Sequence, residues 1–192
     1  MKPLDLKLTS TAIIDSTRLD VNEFKESSMP YPHLIGHIAL VGIGATAVMD
    51  VWLLLLSRLG VPTTGFALIG RWVGHLFRGR LAHAAISKAA PVEFELGLGW
   101  LTHYLVGIVW AGLLVAVEGV AWLGQPTCLP ALIAGVATVA APWFVMQPAM
   151  GAGFAAAKTP APQMNRLRTL ANHAVFGVGM YLAAAGLIWA IQ

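Results

Sequence analysis

Four runs of apolar residues, at about 36–59, 98–121, 128–149 and 169–191, are nearly free of charge, and nothing else constrains the chain so strongly. A helix needs ~20 apolar residues to cross the ~30 Å of hydrocarbon in a bilayer, and every run is that long. Inside lipid the backbone has no water to bond, so a spanning segment of this kind must be helical. Composition agrees: 57% of residues are hydrophobic and 11% charged, against about a quarter charged in soluble domains. The expected fold is an all-α integral membrane protein, with four transmembrane helices in a bundle over residues 34–192. The lipid bilayer is the first expected partner, and nucleic acid is not one.

Pro142 and Pro148 fall within or at the end of the third run. Neighbouring helices can re-satisfy the carbonyls a proline frees, so a kink is expected there and not a break. Small residues recur at close-packing spacing in Gly107/Ala111, Gly112/Ala116 and Gly179/Ala183, as suits helices that touch in lipid.

Lysine and arginine set the orientation. Arg58, Arg71, Arg78, Arg80 and Lys88 follow the first run, and Lys158, Arg166 and Arg168 lie between the third and fourth. The loop between the second and third runs has neither residue type. With four spans the two basic loops share a side, so they are expected in the cytoplasm and both termini outside. The expected location is a bacterial inner membrane.

Residues 1–33 form a tail of different character, with charges of both signs and no apolar core of the kind a signal peptide needs. It is expected to be poorly ordered, and Met29 would serve as an alternative start. Cys128 is the only cysteine, which rules out an intrachain disulfide and a thiolate metal cluster.

Between the first and second spans, residues about 63–90 read as an amphipathic interfacial helix. Phe66, Ile69, Val73, Leu76 and Phe77 can share one face, and Arg71, His75 and Arg78 another. The apolar face would rest in the headgroups. The basic face would either anchor to lipid phosphates or capture an anionic group through Arg71, His75 and Arg78.

Buried polar residues supply the candidate site. Asp50 lies ~14 Å from the end of its span, and His103 and His173 lie ~7 Å into theirs, at 1.5 Å per residue. Gln147 is near the end of the third span. Span parity puts all four in one half of the membrane, on the side of the basic loops. An ionisable residue at that depth is costly and turns toward a helix interior or a wet cavity. Asp50, His103, Gln147, His173, Arg71 and His75 are therefore the candidate ligand-binding residues. The alternative for Asp50 is structural: a hydrogen bond to His103 or a loop arginine that pins two helices.

No HExxH run is present, which lowers a zinc-protease reading. Asp50, His103 and His173, with His83 and Glu93 as weaker additions, have the ligand types of a divalent metal site. A haem between His103 and His173 is a further candidate cofactor, because Gly107 and Gly177 each follow four residues on and leave room on the same face. The glycines would equally serve close helix packing. There is also an internal echo, in which "ALVGIGATAVMDVW" lies over "ALIAGVATVAAPWF" and "HYLVGIV" over "HAVFGVG". Parallel repeats of this kind occur in transporters, with the site at their interface.

The segments "GIGATAVMDVW", "GRWVGHLFRGRLAH", "PVEFELGLGWLTHYLVGI", "PTCLPALIAGVATVAAPWFVMQPAMGAGFAAAKTP" and "RLRTLANHAVFGVGMY", in this order, resemble a bacterial family catalogued as domain of unknown function 2938. The resemblance runs from about Leu34 to the end. It implies a small inner-membrane protein with several transmembrane helices and no assigned activity. The polar positions within the matching motifs are Asp50, Arg71, His75, His83, Glu93, His103, Gln147 and His173.

Three functions fit these residues. The first is transport or binding of a proton, metal ion or small polar solute at the Asp/His site. The second is an intramembrane enzyme dependent on metal or haem, and the third a non-catalytic assembly partner. Four spans make a small transporter, so the first reading brings with it a homo-oligomer.

Overall fold

The computed structural model describes residues 31–63 and 65–191, and the expected tail, up to residue 30, lies outside the described residues. Gly36–Gln192 form one compact unit, to which every contact below belongs; of the unit Met1–Ile35 only the first turn of a helix is described. Among the described residues four helices are long and apolar enough to cross a membrane, and no strand is found. They make the chain a multi-pass membrane protein.

The helices are α1 (Tyr31–Arg58), α2 (Phe66–Leu76), α3 (Glu95–Glu118), the short α4 (Ala121–Gly124), α5 (Cys128–Ala137), α6 (Gln147–Met150) and α7 (Pro162–Ile191). The third span is the stretch Cys128–Met150, in which a π-helical turn at Pro142–Met146 joins α5 to α6. Three of the four spans begin several residues before the apolar runs do, and for two of them the reason is visible. Glu95 opens α3 although charged, because Arg71 partners it. Pro162 opens α7, in the first turn where its missing N–H costs nothing.

The ends of α1 and α3 follow from glycine. Gly60, at φ +76°, sits just past Arg58, where Val61 N–H donates to Leu56 O at 2.9 Å and Gly60 N–H to Ser57 O at 3.0 Å. This paired closure needs the left-handed conformation that glycine adopts without a Cβ clash. Gly119, at φ +85° and ψ 161°, ends α3 in another positive-φ conformation open to glycine.

Packing between spans runs through small residues, as their spacing suggests. A Cβ on Gly42 would meet the backbone of Ile108, and one on Gly107 would strike Thr46 Oγ1, so α1 and α3 approach backbone to backbone. Gly135 and Gly177 bring α5 against α7 in the same manner, and Gly179 faces Ala45 of α1. Ala183 and Ala111 serve likewise, Ala183 against Gly44 and Ala111 fully buried. Large side chains such as Ile43, Leu54, Val109, Leu113, Ile133 and Leu182 point outward and are exposed, which hydrocarbon favours and water would not.

α2 lies along the first part of α3, closer than ordinary helix packing permits. Gly70 sits against the carbonyl of Glu95 and the N–H of Gly99, and Gly99 sits against the carbonyl of Phe66. The loop after α2 returns across Ile86, which is buried, and His83 N–H donates to Ala149 O at 2.8 Å. The first loop and the end of the third span are thus neighbours, as span parity requires.

Candidate functional site

Asp50 is held by two side chains of α3. One carboxylate oxygen is 2.9 Å from His103 Nε2, and the other accepts from the Tyr104 hydroxyl at 2.8 Å. Both members of the pair are largely buried, with side-chain exposures of 13% for His103 and 17% for Asp50. A carboxylate can only accept, so Nε2 of His103 is the donor between them. Phe66 of α2 covers the ring, at a centroid distance of 4.8 Å.

His173 is held differently. Its Nδ1 lies 2.5 Å from Thr138 Oγ1, whose own hydrogen goes to Gly135 O. The threonine hydroxyl has a single hydrogen, so His173 Nδ1–H must be the donor between them, which leaves Nε2 as the bare acceptor. Beside His173, Asn172 accepts from Trp52 Nε1 at 2.9 Å, which ties α7 to α1.

His103 and His173 border one cavity of about 370 Å³, together with Gln147, Asn172, Trp72, Trp110 and Phe176. Its walls are mainly apolar, and α2 contributes Phe66, Ile69 and Trp72 to them. Asp50 does not line the cavity: it stands behind His103. Its expected convergence with the two histidines therefore takes the form of a relay, with the carboxylate orienting His103 and His103 facing the space that His173 also faces.

The hydrogen-bonding character of the cavity is lopsided. Thr46, Thr102, Thr138 and Thr169 line it, and each donates its hydroxyl hydrogen to a carbonyl of its own helix, leaving lone pairs only. Gln147 Oε1 is buried without a hydrogen-bond partner among the described residues. Added to Nε2 of His173, these make a wall rich in acceptors. The amide NH₂ groups of Asn172 and Gln147 are its donors.

The threonines aligned by the internal echo meet different residues: Thr46 abuts Gly107 on the helix that carries His103, whereas Thr138 bonds His173 on the helix that carries Gly177. Gly107 and Gly177 are spent on close helix approach, against Thr46 and against Ala131, Leu132 and Gly135.

The remaining candidates lie elsewhere. Arg71, His75 and Arg78 do not form one basic face. Arg71 makes a two-pronged ion pair with Glu95, both contacts at 2.8 Å, and also donates to Ala89 O at 3.2 Å. The carboxylate raises the guanidinium's pKa, first through the hydrogen bond, which leaves Arg71 committed to Glu95 and not to an anion. His75 is 3% exposed and directs Nε2 at Ala90 O, 3.0 Å away, while Arg78 is exposed. The divergence has a steric origin: the glycine face of α2, Gly70 and Gly74, is the face buried on α3 and Val92, and this turns Arg71 and His75 to either side of the contact. Phe66 and Ile69, expected to face lipid, turn to the cavity for the same reason.

Glu93 is exposed, and His83 stacks edge-on against His75. Among the described residues no three His, Cys, Asp or Glu side chains are gathered as metal ligands. Tyr104, Thr138, Asn172 and Trp52 belong to the site's scaffold and were not among the residues expected from sequence. Tyr104 could have been found, since a tyrosine hydroxyl in an apolar span needs a partner and this one adjoins His103.

Comparison with known proteins gives a single finding. The family described as "Protein of unknown function (DUF2938)" matches residues 39–187. No curated protein and no solved structure matches the chain.

Proposed function

The chain belongs to the DUF2938 family of proteins of unknown function, and we propose that it binds, and carries across the membrane, a small solute with an apolar body and a cationic N–H group, such as a protonated amine. The observation that carries this reading is the acceptor-rich wall of the cavity. A volume of about 370 Å³ suits a small organic molecule. Nε2 of His173 and Gln147 Oε1 await a donor, and the carboxyl group of Asp50 stands behind the His103 ring that borders the same cavity. Trp72 and Trp110 supply aromatic faces that attract a cation. Proton transfer through His103 to Asp50 would couple release of the solute to pH.

In this reading the basic loops lie in the cytoplasm and both termini outside, with the protein in the inner membrane. α2 rests at the cytoplasmic surface of the bilayer and forms the lid of the cavity. Four spans are few for a transporter, so a homo-oligomer accompanies the proposal.

Tryptophan fluorescence of the purified protein tests it, with three probes of matched shape: phenethylamine, 2-phenylethanol and phenylacetate. The amine should quench saturably and bind at least about tenfold more tightly than the others, a difference of ~1.4 kcal/mol. Asp50→Asn should remove that preference. Equal binding of the carboxylate, or an unchanged preference in Asp50→Asn, would overturn the reading.

A further inference from the structure

Apart from the cavity, a second group of titratable side chains with buried nitrogens stands out among the described residues, where the loop after α2 folds back. His75 and His83 meet there with ring centroids 4.8 Å apart and planes inclined at 60°. His75 is 3% exposed, and its Nε2 bonds the Ala90 carbonyl at 3.0 Å. A carbonyl only accepts, so Nε2 bears the hydrogen and Nδ1 bears a lone pair. That nitrogen is buried and has no partner, and neither ring nitrogen of His83 makes a well-formed hydrogen bond, although the ring lies near enough to the Ala149 backbone to feel it. Buried nitrogens without hydrogen bonds are costly unless something occupies the space beside them.

We propose that His75 and His83 form a two-histidine site for a divalent transition metal of the zinc and copper class, independent of the solute cavity. Metal-bound histidine typically donates its second ring N–H to a backbone carbonyl, which is what His75 does with Ala90. Two imidazoles sharing one ion at ~2.1 Å and a near-tetrahedral angle have ring centroids ~5 Å apart, close to the separation here. Arg80, the nearby cation, is exposed and can carry its charge away from the pair and out into water. Imidazole nitrogen suits Zn²⁺ and Cu²⁺ and not Mg²⁺ or Ca²⁺. Two protein ligands leave the other positions of the ion to water or to a donor brought from outside.

The site has a structural use. His83 sits on a strap whose backbone bonds Ala149 at the end of the third span, and His75 sits on the helix packed along α3. An ion between them would cross-link the lid to the loop that holds it.

The test uses the full chain in detergent, stripped with chelator and titrated with ZnCl₂ by calorimetry. One Zn²⁺ should bind per chain and raise the melting temperature. His83→Ala, the less buried of the two positions, should weaken binding by ~100-fold and abolish the melting shift while the metal-free protein melts as a folded unit. Cys128→Ser, which removes an exposed thiol away from the pair, should leave the titration unchanged. Cu²⁺ loaded in place of zinc should show coupling to two imidazole nitrogens by electron paramagnetic resonance, and to fewer in His83→Ala. No uptake of Zn²⁺ by the stripped protein, or uptake that His83→Ala leaves intact, would overturn the proposal and leave the space to water.

Discussion

Gly70→Ala should be among the most damaging single-methyl changes in this protein. A Cβ at that position would fall onto the carbonyl oxygen of Glu95, with the N–H of Gly99 behind it. Both obstacles are backbone, so no rotamer change relieves the clash and α2 must move off α3. Overpacking of a well-packed contact costs ~1–3 kcal/mol, and a backbone obstacle puts this case at the upper end. Alanine in place of glycine within a helix returns ~1 kcal/mol. The net loss is then ~2 kcal/mol. Gly97→Ala is the internal control, because it lies in the same region of α3 with nothing within 4 Å of its Cβ. It keeps the propensity gain and suffers no clash. Heating the purified proteins side by side in detergent and following the loss of the monodisperse peak should rank Gly97→Ala at or above the wild type and Gly70→Ala clearly below it. If Gly70→Ala survives as well as Gly97→Ala, the close contact between α2 and α3 is not as described.

Asp50→Ala removes both hydrogen bonds that the carboxylate accepts and should cost ~3 kcal/mol of stability, with Tyr104→Phe costing about half as much, ~1.5 kcal/mol; equal melting of all three proteins would refute the pairing. Glu95→Gln takes the charge from Arg71 and should free the loop over residues 77–94, read as faster trypsin cleavage after Arg78, Arg80 or Lys88, whereas an unchanged digestion rate would mean the ion pair does not hold the loop. Reporter fusions after residues 90 and 160 should read as cytoplasmic, and fusions at 125 and 192 as outside; the reverse pattern at all four would invert the orientation.

The four spans were legible because a bilayer's thickness imposes a length on any apolar run, and no tertiary detail alters that requirement. Their starts were less legible. A reading that stops at charge begins α3 at Leu98, but Glu95 enters the helix because Arg71 neutralises it across a gap of sequence. α7 runs back to Pro162 through Gln163, Asn165, Arg166 and Arg168, which no apolar run includes. For the site, parity alone brought Asp50 and His103 into one half of the membrane, and they bond. What parity could not give was rotation about each helix axis. Asp50 therefore turned out to stand behind His103, and Thr138 to be the partner of His173. On α2 the apolar pattern chose the wrong face, since the two glycines, invisible to a hydrophobic pattern, decide which side touches α3.

The π-helical turn at Pro142–Met146 makes the third span longer by one residue than its rise requires, and Gln147 N–H closes it by donating to Pro142 O. That surplus residue is absorbed inside the turn. Each residue of an α-helix turns the chain by ~100° and each residue of a π-helix by less, so the five residues of this turn rotate the chain about as far as four α-helical ones. A span with one residue deleted here could close into an ordinary helix with Gln147 still at the cavity wall and Ala149 still beside His83. One residue deleted from α5 instead would turn the two sides of the gap by ~100° relative to one another. Hydropathy would register no difference between the two deletions. The cavity and the loop that packs beneath it are thus indexed to one another by the backbone count of the α-helical stretch, and the wide turn is the one place in the span where a residue can be lost without uncoupling them.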